Sequence, residues 1–298
     1  MPAEGLDLAG RNALLSFEEI IRVVSVGAKL GITKVRLTGG EPTVRADLPR
    51  LVEMLQGVNG IREIAMTPNA SRLADMAQAL RRAGMSRINI SIDTLDPEKS
   101  REMTRRDLLP DVLDGVDAAL AAGFESVKFN AVILRDFNQD EVCDLAAFAH
   151  ERGSQMRFIE YMPMGVTRSD ERNKTVTMAE MLVRLRERYD LVREVGHSSD
   201  PARGWVCGRT GTRIGFITSI SEHFCDGCNR MRLTALGSLR PCLHQDAEVD
   251  VKHVLRNGGD DAAIRAAFVK AANLKWAGHQ MNAFVPIYST KEMLTIGG

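Results

Sequence analysis

The chain has 298 residues, enough for one large domain or for a large domain and a smaller second portion. Its 39 Lys and Arg residues equal its 39 Asp and Glu residues, so its net charge gives no reason to expect binding to nucleic acid or to anionic membranes. No apolar run approaches the roughly 20 residues that span a bilayer, and the first residues do not have the pattern of a secretory signal. Five cysteines, three of them clustered, indicate metal ligation in a reducing cytoplasm rather than disulfides.

Short β-branched runs alternate with amphipathic helices through the first half of the chain. The first helix is predicted from the capping box of Ser16 and Glu19 to a stop at Gly31. The helix that follows the second strand is predicted from the helical spacing of Leu73 and Met76 with later apolar residues. Strands are predicted over residues 34–38, 63–67, 87–92, 126–133 and 156–161. This alternation predicts an α/β fold with a parallel sheet, either open or curled into a barrel.

The pattern changes after Tyr161. A loop rich in Pro, Gly and charge is followed by a helix with a second capping box, Thr177 and Glu180, and then by hairpin-like strands over 214–218 and 231–235. A final helix is predicted over 262–274. We therefore predict a first domain over residues 1–165 and a second, cysteine-bearing portion over 166–298.

The start of the sheet is irregular. The chain opens with a loop and a helix and reaches its first predicted strand only at residue 34, whereas a parallel α/β domain normally begins with a strand. We therefore predict that a first strand is missing from the 298 residues. Without it, residues 34–38 form an uncovered sheet edge.

The most informative segment is Cys225-Asp-Gly-Cys228, to which Cys242 adds a third thiol. Two soft ligands one tight turn apart and a third from a later segment suit an iron–sulfur cluster with one open position. The alternative is a structural zinc ion, with His244 as the fourth ligand. The C-x2-C spacing alone favours zinc.

Two arginines, Arg230 and Arg232, follow the paired cysteines directly. Guanidinium groups are always charged and match the geometry of phosphate. A closed zinc site has no use for two cations beside it, so the arginines favour a substrate-binding cluster. Cys143 and Cys207 are predicted to be core thiols.

Polar residues collect where the predicted strands end. Two glycines in Thr38-Gly39-Gly40-Glu41 would let a ligand approach the backbone, although a plain turn explains them equally well. Active sites of βα barrels lie at the carboxyl ends of the strands, so these residues predict one rim around one cavity. The rim residues are Arg36, Thr67, Asn69, Ser91, Asp93, Lys128, Asn130, Glu160 and Met162.

Arg36 and Lys128 have the greatest weight among these residues, because each lies within an otherwise apolar strand. Buried cations are rare without an anionic partner. They therefore indicate either an anionic ligand or an internal ion pair with Glu41, Asp93 or Glu160.

Together, these segments resemble one family. The segments are Thr38-Gly-Gly-Glu-Pro42, Asn89-Ile-Ser91-Ile-Asp93, Arg157-Phe-Ile-Glu-Tyr-Met162-Pro, Phe224-Cys-Asp-Gly-Cys-Asn-Arg-Met-Arg232-Leu and the Gly-Gly end. They are similar to the motifs of GTP 3′,8-cyclase (molybdenum cofactor biosynthesis protein A), a family of radical S-adenosylmethionine (SAM) enzymes. The resemblance runs from residue 1 to residue 298.

The resemblance implies an incomplete (β/α)6 TIM-like barrel, closed at its base by a C-terminal α+β portion. It implies conversion of GTP to 3′,8-cyclo-7,8-dihydro-GTP, the first step of molybdenum cofactor (molybdopterin) biosynthesis. In the family, reductive cleavage of SAM by an N-terminal 4Fe–4S cluster gives a deoxyadenosyl radical, which removes the C3′ hydrogen of GTP so that C3′ can add to C8 of guanine. An electron donor of the flavodoxin or ferredoxin type and a downstream cyclic pyranopterin monophosphate synthase are implied as partners, and a homodimer is allowed.

The resemblance also implies roles for particular residues. The ligands of a second, C-terminal 4Fe–4S cluster, whose open iron binds GTP in the family, match Cys225, Cys228 and Cys242. The GTP-binding positions match Arg36, Thr67, Lys128, Arg230, Met231 and Arg232. The SAM-binding positions match Gly40, Ser91 and Met162. The catalytic positions match Arg230, Arg232 and the tail residues Gly297 and Gly298, which reach into the cavity in the family.

The sequence departs from the family in one respect. The family's first cluster is held by C-x3-C-x2-C after the first strand, and none of the five cysteines here has that spacing. In the family, the last cysteine directly precedes a Met-Pro pair like Met1-Pro2. We therefore expect the missing strand and the missing motif to be one segment ahead of Met1, and the 298 residues alone to be inactive. The alternatives are a non-catalytic GTP-binding iron–sulfur protein and a zinc-stabilised scaffold.

Overall fold

The structure is a computed structural model that describes residues 10–162, 173–195 and 200–278. These residues form one eight-stranded sheet, one three-stranded sheet and the helices packed on them. The strands of the large sheet are β1 (Lys34–Leu37), β2 (Glu63–Met66), β3 (Arg87–Ser91), β4 (Ser126–Ile133), β5 (Gln155–Glu160), β6 (Leu191–Arg193), β7 (Ala202–Cys207) and β8 (Arg213–Ile217).

The large sheet is parallel over most of its width. Its strand order is β1-β2-β3-β4-β5-β8-β7-β6, in which β1 to β5 and β8 are parallel and β7 and β6 are antiparallel. The predicted α/β fold with a parallel sheet is confirmed. In the described part of the chain β1 pairs only with β2, and the strand predicted ahead of it stays a prediction.

Seven α-helices lie among the described residues up to Leu185, and two of them begin at the predicted capping boxes. The seven helices are α1 (Phe17–Lys29), α2 (Leu48–Gln56), α3 (Ala77–Arg82), α4 (Pro97–Thr104), α5 (Leu109–Ala121), α6 (Val142–Glu151) and α7 (Met178–Leu185). The side chains of Ser16 and Thr177 both form the predicted capping boxes. None of the helices that the structure describes combines the length and the apolar character of a membrane-spanning segment.

The predicted start of α3 is wrong. Leu73 and Met76 lie in turns ahead of the helix, which begins only at Ala77. Ala70 has φ of 65°, a left-handed conformation, and its carbonyl accepts a hydrogen bond from the Leu73 amide. Leu73 and Met76 therefore have the spacing of residues on one helix face although they lie in turns.

The two faces of the large sheet differ in chemistry. One face packs against the helices in a single core, to which Ile64, Ile88, Phe129 and Phe158 contribute buried side chains. Side chains alternate along a strand, and paired residues of parallel strands share a face. The opposite side, called the polar face below, therefore presents Lys34, Arg36, Glu63, Arg87, Asn89, Ser91, Lys128, Asn130, Gln155 and Arg157.

The C-terminal region forms a second small core. It contains β9 (Arg232–Leu233), β10 (Ser238–Arg240), β11 (Val249–Asp250), α8 (Val251–Arg256) and α9 (Asp261–Asn273). Ile264 and Phe268 of α9 pack with Val23 and Val26 of α1, which attaches this region to the first helix. The strand predicted over 231–235 shortens to β9. The predicted division at residue 165 stays a prediction, and β6 to β8 extend the large sheet.

Candidate functional site

The carboxyl ends of the parallel strands bring several predicted residues to one edge of the sheet. Gly40 follows β1, Thr67 follows β2 directly, Ser91 is the last residue of β3, and Met162 follows β5. Since these strands are parallel, their carboxyl ends meet at the same edge. The three residues predicted to hold SAM therefore share an edge with Thr67.

Glu41 fixes the loop that carries Gly39 and Gly40. Its carboxylate accepts hydrogen bonds from the Thr43 amide at 2.9 Å and from the Asn69 amide at 2.7 Å, which joins the loop after β1 to the loop after β2. Gly39 has φ of 147°, where a side chain would be strained. The first glycine of the pair thus permits the sharp exit from β1.

Arg36 lies on the polar face and donates a hydrogen bond from Nη1 to Thr67 Oγ1 at 3.2 Å. Arg36 retains an exposed surface, but the protein around its guanidinium displaces water and thereby lowers its pKa. The nearby charges of Arg157, Arg87 and Arg230 lower this pKa as well. The negative charge of Glu63 acts in the opposite direction and raises the pKa of Arg36. This concentration of positive charge favours an anionic ligand.

Lys128 is a second cation of the polar face, next to Arg157. Burial, together with the charge of Arg157, lowers the pKa of Lys128 to about 8. The acidic group that acts in the opposite direction is Asp200. An ammonium group in such surroundings becomes fully charged again when an anion binds beside it.

Arg157 was missed as a site residue in the sequence analysis. It pairs in register with Asn130 on one side and with Gly215 on the other, and an added Cβ at Gly215 would lie 3.1 Å from Arg157 Cγ. Burial lowers the pKa of Arg157, and its ion pair with Asp200 spans 4.0 Å. The alternation of Gln155, Arg157 and Ile159 with buried residues could have revealed it.

The alternative of an internal ion pair for Arg36 and Lys128 is wrong. Among the ion pairs of the described residues, none joins either cation to Glu41, Asp93 or Glu160. Backbone amides donate hydrogen bonds to these carboxylates instead. The Val132 amide binds Asp93 Oδ1 at 2.7 Å, and burial raises the pKa of Asp93 to about 6.

Glu160 joins three parts of the rim. It is 1% exposed and accepts hydrogen bonds from the amides of Met178, Ile220 and Ser221 at 2.8–2.9 Å. These amides belong to the start of α7 and to the segment after β8. The carboxylate therefore holds the end of β5 against the two segments that follow it.

The cysteine segment begins with a tight turn. The Cys228 amide donates to the Cys225 carbonyl at 3.0 Å, so the two half-buried thiols lie one turn apart. The Arg230 guanidinium lies 4.9 Å from the centre of the Phe224 ring, and its Nη2 is 3.6 Å from Cys228 Sγ. Lys275 Nζ approaches the same sulfur to 3.4 Å.

These cations change the acidity of the thiol. Burial raises the pKa of Cys228, but the amide and guanidinium of Arg230 and the charge of Lys275 lower it more, so that it titrates at about 7. Burial and the charge of Arg230 lower the pKa of Arg232, whereas Cys242 and Cys228 raise it. Arg232 is therefore near the thiols of both cysteine segments.

The donor set fits an iron–sulfur cluster chemically, because thiolates are its usual ligands and the surrounding cations offset its negative charge. Within the described residues, however, no three His, Cys, Asp or Glu side chains are grouped as metal ligands. The shared cluster of Cys225, Cys228 and Cys242 and the alternative zinc site with His244 both stay predictions. Burial of Cys143 and Cys207 is confirmed.

Three further predicted positions differ in whether the structure describes them. Met231 is half-buried and packs against the small C-terminal core. Gly297 and Gly298 lie outside the described residues.

Comparisons with known proteins identify both portions of the chain. Residues 7–149 match the Radical SAM superfamily, and residues 154–281 match the family described as Molybdenum Cofactor Synthesis C. GTP 3′,8-cyclase of Moorella thermoacetica is 43% identical over 283 residues, which cover 94% of this chain and 87% of that protein. GTP 3′,8-cyclase of Hydrogenovibrio crunogenus is 40% identical over 302 residues, covering 100% and 91%.

A solved structure supports the fold independently. The chain resembles Streptococcus suis SuiB bound to S-adenosylmethionine with a TM-score of 0.57 at 17% identity, covering 87% of this chain and 63% of SuiB. The chain thus spans less than two thirds of SuiB, and at this identity the likeness concerns the fold alone. The sequence relatives decide the family, because they cover nearly the whole chain at about 40% identity. The chain belongs to the GTP 3′,8-cyclase family of radical SAM enzymes.

Proposed function

We propose that this enzyme converts GTP to 3′,8-cyclo-7,8-dihydro-GTP, the first step of molybdenum cofactor biosynthesis. The observation that carries the proposal is the convergence of cations from separate parts of the chain. Arg36 from β1 is within electrostatic reach of Arg157 from β5 and of Arg230 from the cysteine segment. A triphosphate is an anion that would require so many positive charges in one place.

In this proposal the two portions of the chain bind different parts of GTP. The cations of the polar face bind the triphosphate, and Arg36 also orients Thr67 through their hydrogen bond. The cysteine segment binds the guanine end beside its cluster, while its Arg230 adds a cation to the triphosphate site. The proposed GTP-binding residues are Arg36, Thr67, Lys128, Arg230, Met231 and Arg232, to which we add Arg157.

SAM is proposed to lie along the carboxyl edge of the sheet, against Gly40, Ser91 and Met162. These residues follow or end β1, β3 and β5, whose carboxyl ends share that edge. When bound, SAM and its 4Fe–4S cluster supply the radical chemistry. The protein's own residues hold the two substrates in contact and exclude water from the reacting atoms.

The second 4Fe–4S cluster is proposed to be held by Cys225, Cys228 and Cys242. Support comes from the two N–H donors within 3.6 Å of Cys228 Sγ, which suit a sulfur that carries negative charge. The first cluster would need cysteines beyond the five in this sequence, in the C-x3-C-x2-C spacing of the family. An electron donor of the flavodoxin or ferredoxin type would reduce it.

Two measurements test the proposal. The first is equilibrium binding of GTP to the 298-residue chain after anaerobic cluster reconstitution. Lys128→Met should weaken this binding about 10–100-fold, because a hydrogen-bonded charge contributes about 1.5–3 kcal/mol. The second is anaerobic turnover of GTP by a chain extended to include the triple-cysteine segment, with the cyclised product identified by mass spectrometry.

Matched variants separate the proposal from a general charge effect. Lys29→Met removes an exposed lysine of α1 and should leave GTP affinity unchanged. Equal GTP affinity of Lys128→Met and the unmodified chain would refute the triphosphate site. An extended chain that binds GTP with both clusters filled but forms no cyclised product would instead support the non-catalytic alternative.

A further inference from the structure

Lys275 contacts two components of the cysteine segment at once. Its Nζ donates to the Arg230 carbonyl at 2.8 Å and lies 3.4 Å from Cys228 Sγ. One ammonium group therefore spans a thiol and the backbone of an arginine two residues further along the chain. An ammonium has several donors, and the two contacts use different ones.

The base of Lys275 is anchored to the segment that carries the third cysteine. The residue before it, Leu274, accepts a hydrogen bond on its carbonyl from Gln245 Nε2 at 2.6 Å. Gln245 is 5% exposed and lies three residues after Cys242. A hydrogen bond thus connects the end of α9 to the loop that follows Cys242.

Arg240 fixes that loop from inside the small core. It is fully buried, and its Nη2 donates to the Gln245 carbonyl at 2.7 Å while Nη1 binds Glu248. It also pairs in register with Arg232 across β9 and β10. The buried guanidinium therefore holds the part of the loop after Cys242 that carries Gln245 and Glu248.

We propose that Lys275 is a positioning residue that ties the Cys225–Cys228 turn and the Arg230 backbone to the Cys242 loop. Through Leu274 and Gln245, its contacts join the two cysteine segments without any metal between them. Beside a bound cluster, the same ammonium would donate to the ligating sulfur and offset its charge. Outer contacts of this kind orient metal ligands and retain the metal. The inference rests on the proposed cluster site.

The test measures cluster retention, which does not require turnover. The 298-residue chain and its variants are reconstituted anaerobically, and the loss of visible absorbance is followed after addition of an iron chelator. Lys275→Met should lose its cluster about 10–100-fold faster, the usual cost of removing such an outer contact. Lys275→Arg, which keeps a charged N–H donor, should recover most of the retention.

Lys270→Met is the matched control, because Lys270 is an exposed lysine of α9, five residues before Lys275, and forms no hydrogen bond with a cysteine among the described residues. It should retain its cluster like the unmodified chain. Gln245→Leu removes the anchor of Leu274 but keeps Lys275, and should accelerate the loss in the same direction. Thermal midpoints of the cluster-free variants, measured by circular dichroism, identify any variant that fails to fold.

The outcomes distinguish this inference from the proposed function. If the unmodified chain takes up no iron, the proposed cluster site itself is refuted. If it holds a cluster and Lys275→Met releases iron at the same rate, only the role of Lys275 is refuted. Acceleration by Lys275→Met without acceleration by Gln245→Leu overturns the connection through the Cys242 loop.

Discussion

The two regions that contribute to the site hold their residues in place differently. On the polar face, Arg36, Lys128 and Arg157 are placed by strands whose register is set by ladders of backbone hydrogen bonds. In the cysteine segment, β9, β10 and β11 contain only two or three residues each. The positions of Cys228 and Arg230 depend there on side-chain contacts, above all those of Lys275.

Substitutions should therefore have different effects in the two regions. A strand keeps its register when one side chain is lost, because the backbone ladder does not involve that side chain. A loop fixed by a few side chains moves when one of them is removed. The loops at the rim of the sheet should have an intermediate sensitivity to substitution, because carboxylates such as Glu160 and Glu41 join them to the strands.

The largest effect is expected from Glu160→Ala, which tests how strongly the rim depends on one carboxylate. The change leaves the amides of Met178, Ile220 and Ser221 without their acceptor. Each abandoned donor costs about 1–3 kcal/mol, so the free energy of unfolding should fall by about 3–5 kcal/mol after partial rehydration. Urea unfolding followed by circular dichroism measures it. The exposed Glu187→Ala is the control, and equal losses for the two variants would contradict the prediction.

A smaller effect is expected from Asp93→Asn, and its sign depends on pH. Burial raises the pKa of Asp93 from 3.8 to about 6, so the folded state binds more protons between these pH values and its stability falls as pH rises. Asn can still accept the Val132 amide but does not titrate. The variant should therefore gain at most about 3 kcal/mol over the unmodified chain between pH 4 and pH 7.

The gain of about 3 kcal/mol in the free energy of unfolding is an upper limit, because part of Asp93 remains accessible to solvent. Asp114→Asn, at an exposed position of α5, is the control and should show no such pH dependence. Unfolding midpoints in urea at several pH values measure both variants. A gain from Asp93→Asn that is constant with pH would show that the carboxylate is not responsible.

Gly115→Ala tests how closely a helix supports the rim. An added Cβ at Gly115 in α5 would lie 2.1 Å from the Ala70 carbonyl oxygen, in the loop after Thr67. The backbone must move, which costs about 1–3 kcal/mol and shifts the loop. Thermal unfolding should show the loss, whereas Gly208→Ala, with no atom within 4 Å of its added Cβ, should be nearly neutral. Neutral behaviour of both variants would mean that α5 can move away freely.

The smallest effect is expected for the pH dependence of GTP binding, which tests Lys128 on the polar face. Because the pKa of Lys128 is about 8, the free protein loses this charge as pH rises through 8, and GTP binding must restore it. The Kd for GTP should therefore rise up to about tenfold per pH unit above pH 8. Calorimetry in two buffers of different ionisation enthalpy should detect proton uptake. Lys128→Arg should bind GTP with little change over the same range, and a matching pH dependence in that variant would exclude Lys128 as the source.

Sequence reasoning succeeded for features that depend on neighbouring residues. The capping boxes of Ser16 and Thr177 each involve a residue three positions away, so the sequence contains both partners. The strands followed from their apolar residues, and their parallel order followed from the alternation with helices. The family followed from short motifs that each retain their spacing.

The tertiary structure decided features that depend on distant residues. Arg36 meets Thr67 across 31 positions, and Lys275 meets Cys228 across 47. Arg157 was not recognised from the sequence as a site residue, although it alternates with buried residues of β5. Lys275 was not recognised because it is a common surface type in an ordinary local context. Leu73 and Met76 followed a helical spacing, yet they lie in turns after the left-handed residue Ala70, and the helix begins only at Ala77.

Local sequence patterns were sufficient to predict the order of the elements, the apolar faces and the thiols with their neighbouring arginines. These properties depend on local hydrogen bonding and on the period of side chains along the chain. Only the folded chain decided which cations converge and which carboxylates are occupied by backbone amides. Those outcomes depend on strand register and on packing between segments far apart in sequence, which no local pattern encodes.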